Sequence, residues 1–256
     1  MKKVFLIILL FCLCTACHHS TNTNQVKNDK PVQKKVEQKT VKKKEAKKKY
    51  IICINPGHQA KANTNKEKQS PSSSIKKMKV TGGTSGIASH KSESQVVLDI
   101  GLKLRDELEK QGYTVVMTRT SQKVDLSNQQ RAKIGNEAHA DLTISLHLNG
   151  INNHNANGAF TICGKNSGDT QKIYKKSRKA AVSIINTYCN KTGIKNQGVS
   201  YRSDLTGLNW STVPAIYIEM GHMTNRKEDL KLTNFSFQKK MVHGLVEGIN
   251  HYFKEV

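Results

Sequence analysis

Two histidines and two glutamates in this 256-residue chain stand where side chains can do hydrolytic chemistry. His58 follows Tyr50-Ile51-Ile52-Cys53-Ile54, an apolar run of strand length closed by Asn55-Pro56-Gly57. His147 ends residues 141–147, which alternate polar and apolar as a strand does, and Glu219 ends the β-rich Val213-Pro214-Ala215-Ile216-Tyr217-Ile218-Glu219. In open α/β sheets, sites assemble at the carboxyl ends of strands, where loops converge on a rigid frame. Glu93 stands at the head of a predicted helix, reached from the long segment after His58. Two imidazoles and one carboxylate, with a fourth position left for water, make up the ligand set of a hydrolytic zinc site. A second, unligated carboxylate can take the proton from that water and pass it to a leaving amine. Plainer readings stand beside this one. A lone histidine near a loop is usually not a ligand, Glu93 can serve the helix dipole, and Glu219 can be a buried, hydrogen-bonded carboxylate. HExxH spacing is absent, so these residue types alone lead only as far as a possible metallohydrolase.

The elements that must position these groups alternate between strand and helix. Ser92-Glu93-Ser94-Gln95 fits a capping box, and Val96, Ile100, Leu104 and Leu108 follow on one face of a helix that Gly112 ends. Residues 113–118 are β-rich, 127–138 read as a helix, 158–163 as a short strand, 172–192 as a helix, and 235–253 as a closing helix. The polar stretch between His58 and Ser92 reads as an extended loop. The expected fold is therefore a single α/β domain over residues 50–256, with a central mixed sheet flanked by helices on both faces. The chain has no internal repeat.

Ahead of that domain, residues 1–17 read as a signal peptide: Lys2-Lys3, an apolar run from Val4 to Phe11, then a small-residue exit. Thr15-Ala16-Cys17 is similar to the end of a bacterial lipoprotein signal, with Cys14 where Leu, Val or Ile is usual. We therefore expect lipidation at Cys17 and a lipid anchor on the outer face of the cell membrane, with secretion as the alternative. Residues 18–49 are polar and lysine-dense, too poor in apolar side chains to fold alone, and read as a disordered tether.

The formal net charge is +23, and without residues 1–49 about +13 remains. A basic surface favours polyanions, including the carboxylate- and phosphate-rich bacterial wall. Export and the lack of an aromatic-basic binding module argue against nucleic acid. Cys53, Cys163 and Cys189 lack metal-binding spacing and read as buried apolar thiols.

From Tyr50 onward the order of local sequences resembles the zinc-dependent N-acetylmuramoyl-L-alanine amidases of the amidase 3 type, in a Gram-positive, clostridial-type branch. Asn55-Pro56-Gly57-His58 is similar to that family's Asp-Pro-Gly-His opening, with Asn for Asp. Glu93, followed by Val97-Leu98 and Leu102-Lys103-Leu104, resembles its metal-binding glutamate. Residues 112–119, ending in Arg119, look like the strand after that helix. Asn128, Arg131 and Asn136, leading into Asp141-Leu142-Thr143-Ile144-Ser145-Leu146-His147-Leu148-Asn149, match its central pattern. Glu219-Met220-Gly221-His222-Met223-Thr224-Asn225 is similar to its catalytic segment.

The resemblance implies His58, Glu93 and His147 as ligands of a zinc cofactor and Glu219 as general base. It implies peptidoglycan as substrate, cut at the amide between N-acetylmuramic acid and the L-alanine of the stem peptide. Asn149, Trp210 and His222 are candidate substrate contacts, with core burial an equal reading for Trp210. A zinc carboxypeptidase-like peptidase uses a comparable ligand set. An inactive wall-binding or activator lipoprotein is the non-enzyme alternative. No obligate protein partner is evident in the sequence.

Overall fold

Residues 49–256 are described by a computed structural model. The expected signal segment with Cys17, and the tether up to residue 48, lie outside the described residues. The elements in chain order are β1 (Ile51–Pro56), β2 (Asn63–Lys68), β3 (Lys76–Val80), α1 (Glu93–Lys110), β4 (Thr114–Met117), α2 (Asn128–Glu137) and β5 (Leu142–Asn149). There follow β6 (Ala159–Gly164), α3 (Tyr174–Thr192), β7 (Asn196–Arg202), the one-turn α4 (Thr206–Asn209), β8 (Ala215–His222), α5 (Arg226–Leu232) and α6 (Phe235–Lys254).

Six strands form one mixed sheet in the order β4-β1-β5-β8-β6-β7. β4, β1, β5 and β8 run parallel, and β6 reverses direction against β8. This is the mixed, two-sided sheet expected from the alternating pattern. On β5 the period of two divides the sheet cleanly. Leu142, Ile144, Leu146 and Leu148 join the main core, together with Val97, Ile100 and Leu104 of α1 and residues of α3 and α6. Burying each such aliphatic side chain stabilises the fold by about 1.5–3 kcal/mol. The intervening Thr143, Ser145 and His147 leave the opposite face, where α2, α4 and the β2–β3 hairpin pack. At Gly135 a Cβ would lie 2.5 Å from the Thr143 hydroxyl, so glycine lets α2 approach this polar face closely.

Helix α1 begins and ends as its sequence indicates. The Ser92 hydroxyl accepts from the Gln95 backbone N–H, and Gly112 past the end adopts φ +89°. The capping box expected at Ser92 is only half made, because Gln95 Oε1 accepts from the Gln122 amide at 3.2 Å instead of from the Ser92 backbone N–H. A complete box forms at Ser127–Gln130, at the head of α2.

The stretch between His58 and Ser92 departs from the extended-loop expectation. It holds the antiparallel β2–β3 hairpin, with Lys66 opposite Met78 and Lys68 opposite Lys76. Its residues are polar on both faces because it docks through hydrogen bonds rather than an apolar surface. β7, with its Asn-Gln-Gly start, is a sheet edge that the sequence pattern also did not reveal. Cys53, Cys163 and Cys189 are buried and unpaired, and burial pushes their thiols up to about 12, 11 and 11. Among the described residues no helix is long and apolar enough to cross a membrane.

Candidate active site

His58, Glu93 and His147 come together. They form the one group of three His, Cys, Asp or Glu side chains, among the described residues, whose ligand atoms converge, all within 4.8 Å of one another. Glu93 Oε1 lies 3.1 Å from His58 Nε2 and 2.9 Å from His147 Nδ1. Ligands about 2.0–2.1 Å from a tetrahedral metal are separated by about 3.3 Å, and the two separations from Glu93 Oε1 are close to that value. The remaining bonds fix each donor. His58 Nδ1–H donates to the Thr81 carbonyl at 2.8 Å, which leaves Nε2 as the free lone pair. Glu93 accepts from the backbone N–H groups of Thr84 at 3.0 Å and Leu148 at 3.1 Å. Two glycines make room for the cluster. A Cβ at Gly57 would sit 2.3 Å from the His147 ring, and one at Gly83 would sit 2.8 Å from Glu93 Oε2.

Burial alone would raise the Glu93 pKa, but its hydrogen bonds with both histidines reverse this and hold it well below the usual carboxylate range. Burial also opposes a charge on His58, yet the same carboxylate leaves that imidazole above its ordinary value. His147 is buried more deeply and sits beside His58, so its pKa is lowered despite its bond to Glu93.

Glu219 lies beside the cluster on β8, in register with His147. Burial, then the charge of Glu93, pushes its carboxyl up to about 8. Its Oε2 is buried and has no hydrogen-bond partner among the described residues. An orphaned carboxylate oxygen next to three converging donors fits a site built to hold a metal and a reacting molecule. His58, His147, Tyr217, Glu219 and Asn128 line a cleft of about 500 Å³. The ring of Tyr217 stacks on that of His147, with centroids 5.1 Å apart.

Asn149, Trp210 and His222 lie outside the lining of this cleft. His222 is 2% exposed and bonded through Nδ1–H to the Gly158 carbonyl at 3.1 Å, while Nε2 accepts from the Asn149 amide at 3.1 Å. Trp210 donates its indole N–H to the Lys68 carbonyl at 3.0 Å and so pins the hairpin.

Sequence patterns gave no role to Arg119 and Arg131, yet these two hold the loop that presents His58. Arg131 donates to Asn55 Oδ1 at 2.9 Å and to the carbonyls of Pro56 at 3.0 Å and His58 at 2.8 Å. Arg119 donates to the carbonyls of Pro56 at 2.9 Å and Gly57 at 2.8 Å. Both guanidiniums are buried, and burial lowers each to about 10. His58 itself adopts φ +56°, a left-handed conformation that costs a non-glycine residue about 1–2 kcal/mol. The two arginines supply the bonds that hold it there. Asn55 bonds to Arg131, Thr118 and Ser145, and to no histidine among the described residues.

An α/β domain with two histidines toward the carboxyl ends of its strands, a glutamate at a helix head and a free carboxylate beside them has the build of a metallohydrolase. A family profile described as N-acetylmuramoyl-L-alanine amidase (Amidase_3) matches residues 52–251, and the chain belongs to that family of peptidoglycan amidases. The "Germination-specific N-acetylmuramoyl-L-alanine amidase" of Bacillus subtilis is 27% identical over 177 residues, covering 64% of this chain and 71% of that protein. The "Probable cell wall amidase LytH" of Staphylococcus aureus is 25% identical over 173 residues, or 67% of this chain; the chain spans about half of that relative, 54%. The crystal structure of an N-acetylmuramoyl-L-alanine amidase from Clostridium difficile 630 aligns with a TM-score of 0.67 and 27% identity. It covers 80% of this chain and 97% of that one.

Proposed function

We propose that the chain is a zinc-dependent amidase that cuts the bond between N-acetylmuramic acid and the L-alanine of the stem peptide. The observation that supports this most directly is the convergence of His58 Nε2, Glu93 Oε1 and His147 Nδ1 beside the partnerless Oε2 of Glu219. Two neutral imidazole nitrogens and a carboxylate suit zinc, which supplies Lewis-acid polarisation of the scissile carbonyl and acidification of water. Glu93 adds the one negative charge of the donor set and is held ionised by its surroundings. Glu219 accepts the proton of the attacking water on its free oxygen and hands it to the amide nitrogen as the C–N bond breaks. A carboxyl raised toward neutrality is suited to both transfers, since it can take a proton and give it back near pH 7. Tyr217 stacks on His147 and keeps that ring from turning.

The place of action follows from the substrate, which lies outside the cytoplasm. We further propose that residues 1–17 direct export and that acylated Cys17 holds the enzyme at the outer face of the membrane, with residues 18–49 as tether. A Cys17→Ser form that still partitions with membranes would sink the anchor. For the reaction, purified walls are digested with and without chelator and the products mapped by mass spectrometry. Lactyl-bearing glycan together with stem peptides carrying a new L-alanine amine is the expected result, lost on chelation. Release of C-terminal amino acids alone would mark a carboxypeptidase and overturn the proposal.

A further inference from the structure

One wall of the cleft is the β2–β3 hairpin, and the two faces of that hairpin differ in what their charges touch. On the inner face, Glu67 accepts from the Gln129 backbone N–H at 3.1 Å. Lys77 donates to the Asp204 carbonyl at 2.6 Å and to its carboxylate at 3.1 Å. The Lys68 carbonyl takes the Gln129 amide at 2.8 Å and the Trp210 indole N–H at 3.0 Å. These bonds fasten the hairpin to α2 and to the segment before β8.

The outer face carries Lys66 and Lys76, with Met78 opposite Lys66 in the register. All three line the cleft that holds His58, His147 and Glu219, and the bonded group of Lys77, Arg202 and Asp204 lines it too. Neither Lys66 nor Lys76 makes an ion pair or a side-chain hydrogen bond with a described residue. Asp204 does not neutralise them, because it already takes Lys77 and two bonds from Arg202 at 2.8 and 2.7 Å. Two unpaired ammonium groups on a fastened support, beside the reacting groups, focus positive potential in a concave space. Met78, Ile162 and Leu205 add apolar surface to the same cleft. A ligand matched to this wall carries carboxylates on a short aliphatic frame.

Resting on the amidase reading above, we propose that Lys66 and Lys76 form a carboxylate-binding subsite for the stem peptide beyond its L-alanine. The subsite sets a preference for stems with free acids over stems whose acids are amidated.

Two soluble muramoyl peptides test this, identical except that the stem carboxylates are free in one and carboxamides in the other. The parental enzyme should favour the free acid in kcat/KM by about tenfold, as two partly exposed charge contacts allow, and added salt should shrink the gap. The double variant Lys66→Gln, Lys76→Gln should lose that preference through KM, with kcat kept and the amidated substrate turned over at the parental rate. That unchanged rate also shows that the variant is folded. Lys176→Gln on α3 should behave as the parent. Equal kcat/KM for both substrates in the parental enzyme overturns the subsite while leaving the amidase reading intact. So does a double variant that slows both substrates alike. If the parent cleaves neither muramoyl–alanine bond, the amidase reading fails and the subsite fails with it.

Discussion

Glu219 on β8 stands in register with His147 on β5 across a parallel strand pair, and both side chains leave the same face of the sheet. Adjacent strands lie about 4.8 Å apart, so the backbone ladder itself sets the spacing between a metal-ligand candidate and a base candidate. Neither residue depends on a loop for its position. His58 differs, since it sits two residues beyond β1 and is held by hydrogen bonds from Arg131 and Arg119 to its loop. The site thus joins a rigid half from the sheet to a fastened half from a strained turn.

Glu219→Gln keeps the size and shape of the side chain and removes only its ability to carry a proton. Zinc content and melting temperature should stay near the parental values, and wall hydrolysis should fall by about 10²-fold or more, the range of a general base. Elemental analysis and product mapping of the same preparation read both quantities. Parental turnover by this variant would remove Glu219 from the mechanism.

The same carboxyl gives the metal-free protein a pH signature. Its folded value of about 8 exceeds its ordinary 4.5, so the folded state keeps the proton longer than the unfolded chain does. Its contribution to stability is complete below about pH 4.5 and declines as pH rises toward 8, with a slope of up to about 1.4 kcal/mol per pH unit. Glu219→Gln cannot undergo this loss. In chelator-treated protein the variant should melt close to the parent at pH 4.5 and several degrees above it at pH 8. A difference in melting temperature that does not change across this range contradicts the assigned burial of the charge.

Much of this arrangement can be read from residue order, and the unread part has a physical reason. The alternation through Leu142–Asn149 and the four-residue spacing from Val96 to Leu108 are responses to one large apolar core, so they show in the sequence. The hairpin docks by polar bonds, such as Lys77 to Asp204, that leave no apolar period. Glu93 is more ambiguous, since a carboxylate in the first turn of a helix serves the dipole whether or not two histidines await it. Only the close approach of segments 35 and 54 residues away settles which histidines it meets. Arg131 lies on a helix with no apolar stripe, and its bonds to the His58 loop are visible only in three dimensions. Tyr217 was within reach, because a residue two before Glu219 on a strand must share its face.

Arg131 is a positioning residue, and its loss should register at the metal before it registers in chemistry. Replacing it by Met leaves the His58 carbonyl without its donor, while the Pro56 carbonyl keeps Arg119 and Asn55 Oδ1 keeps the Thr118 hydroxyl. One orphaned acceptor costs about 1–3 kcal/mol, so a drop in stability of that size is expected by denaturant titration. Arg131→Lys restores the charge without the planar fork and should hold the fold better. It should still bind zinc about 10- to 100-fold more weakly, as loss of a group supporting a ligand does. Parental zinc affinity in the Lys variant would show that the loop holds His58 unaided.

Gly82 and Gly83 form a matched pair for testing the crowding around Glu93. A Cβ at Gly82 meets nothing within 4 Å. At Gly83 the backbone has φ +79°, and a Cβ would come within 2.8 Å of Glu93 Oε2 and 3.0 Å of the His58 ring. Both neighbours belong to the donor cluster, so relief of the clash must move a donor atom. Gly83→Ala should therefore lower zinc affinity by more than its change in melting temperature accounts for. The left-handed backbone adds about 1 kcal/mol of destabilisation. Gly82→Ala should change neither quantity appreciably. Zinc titrations of the two variants decide the matter: equal affinities would mean that the turn at residues 82–84 yields freely and that Glu93 is placed by α1 alone.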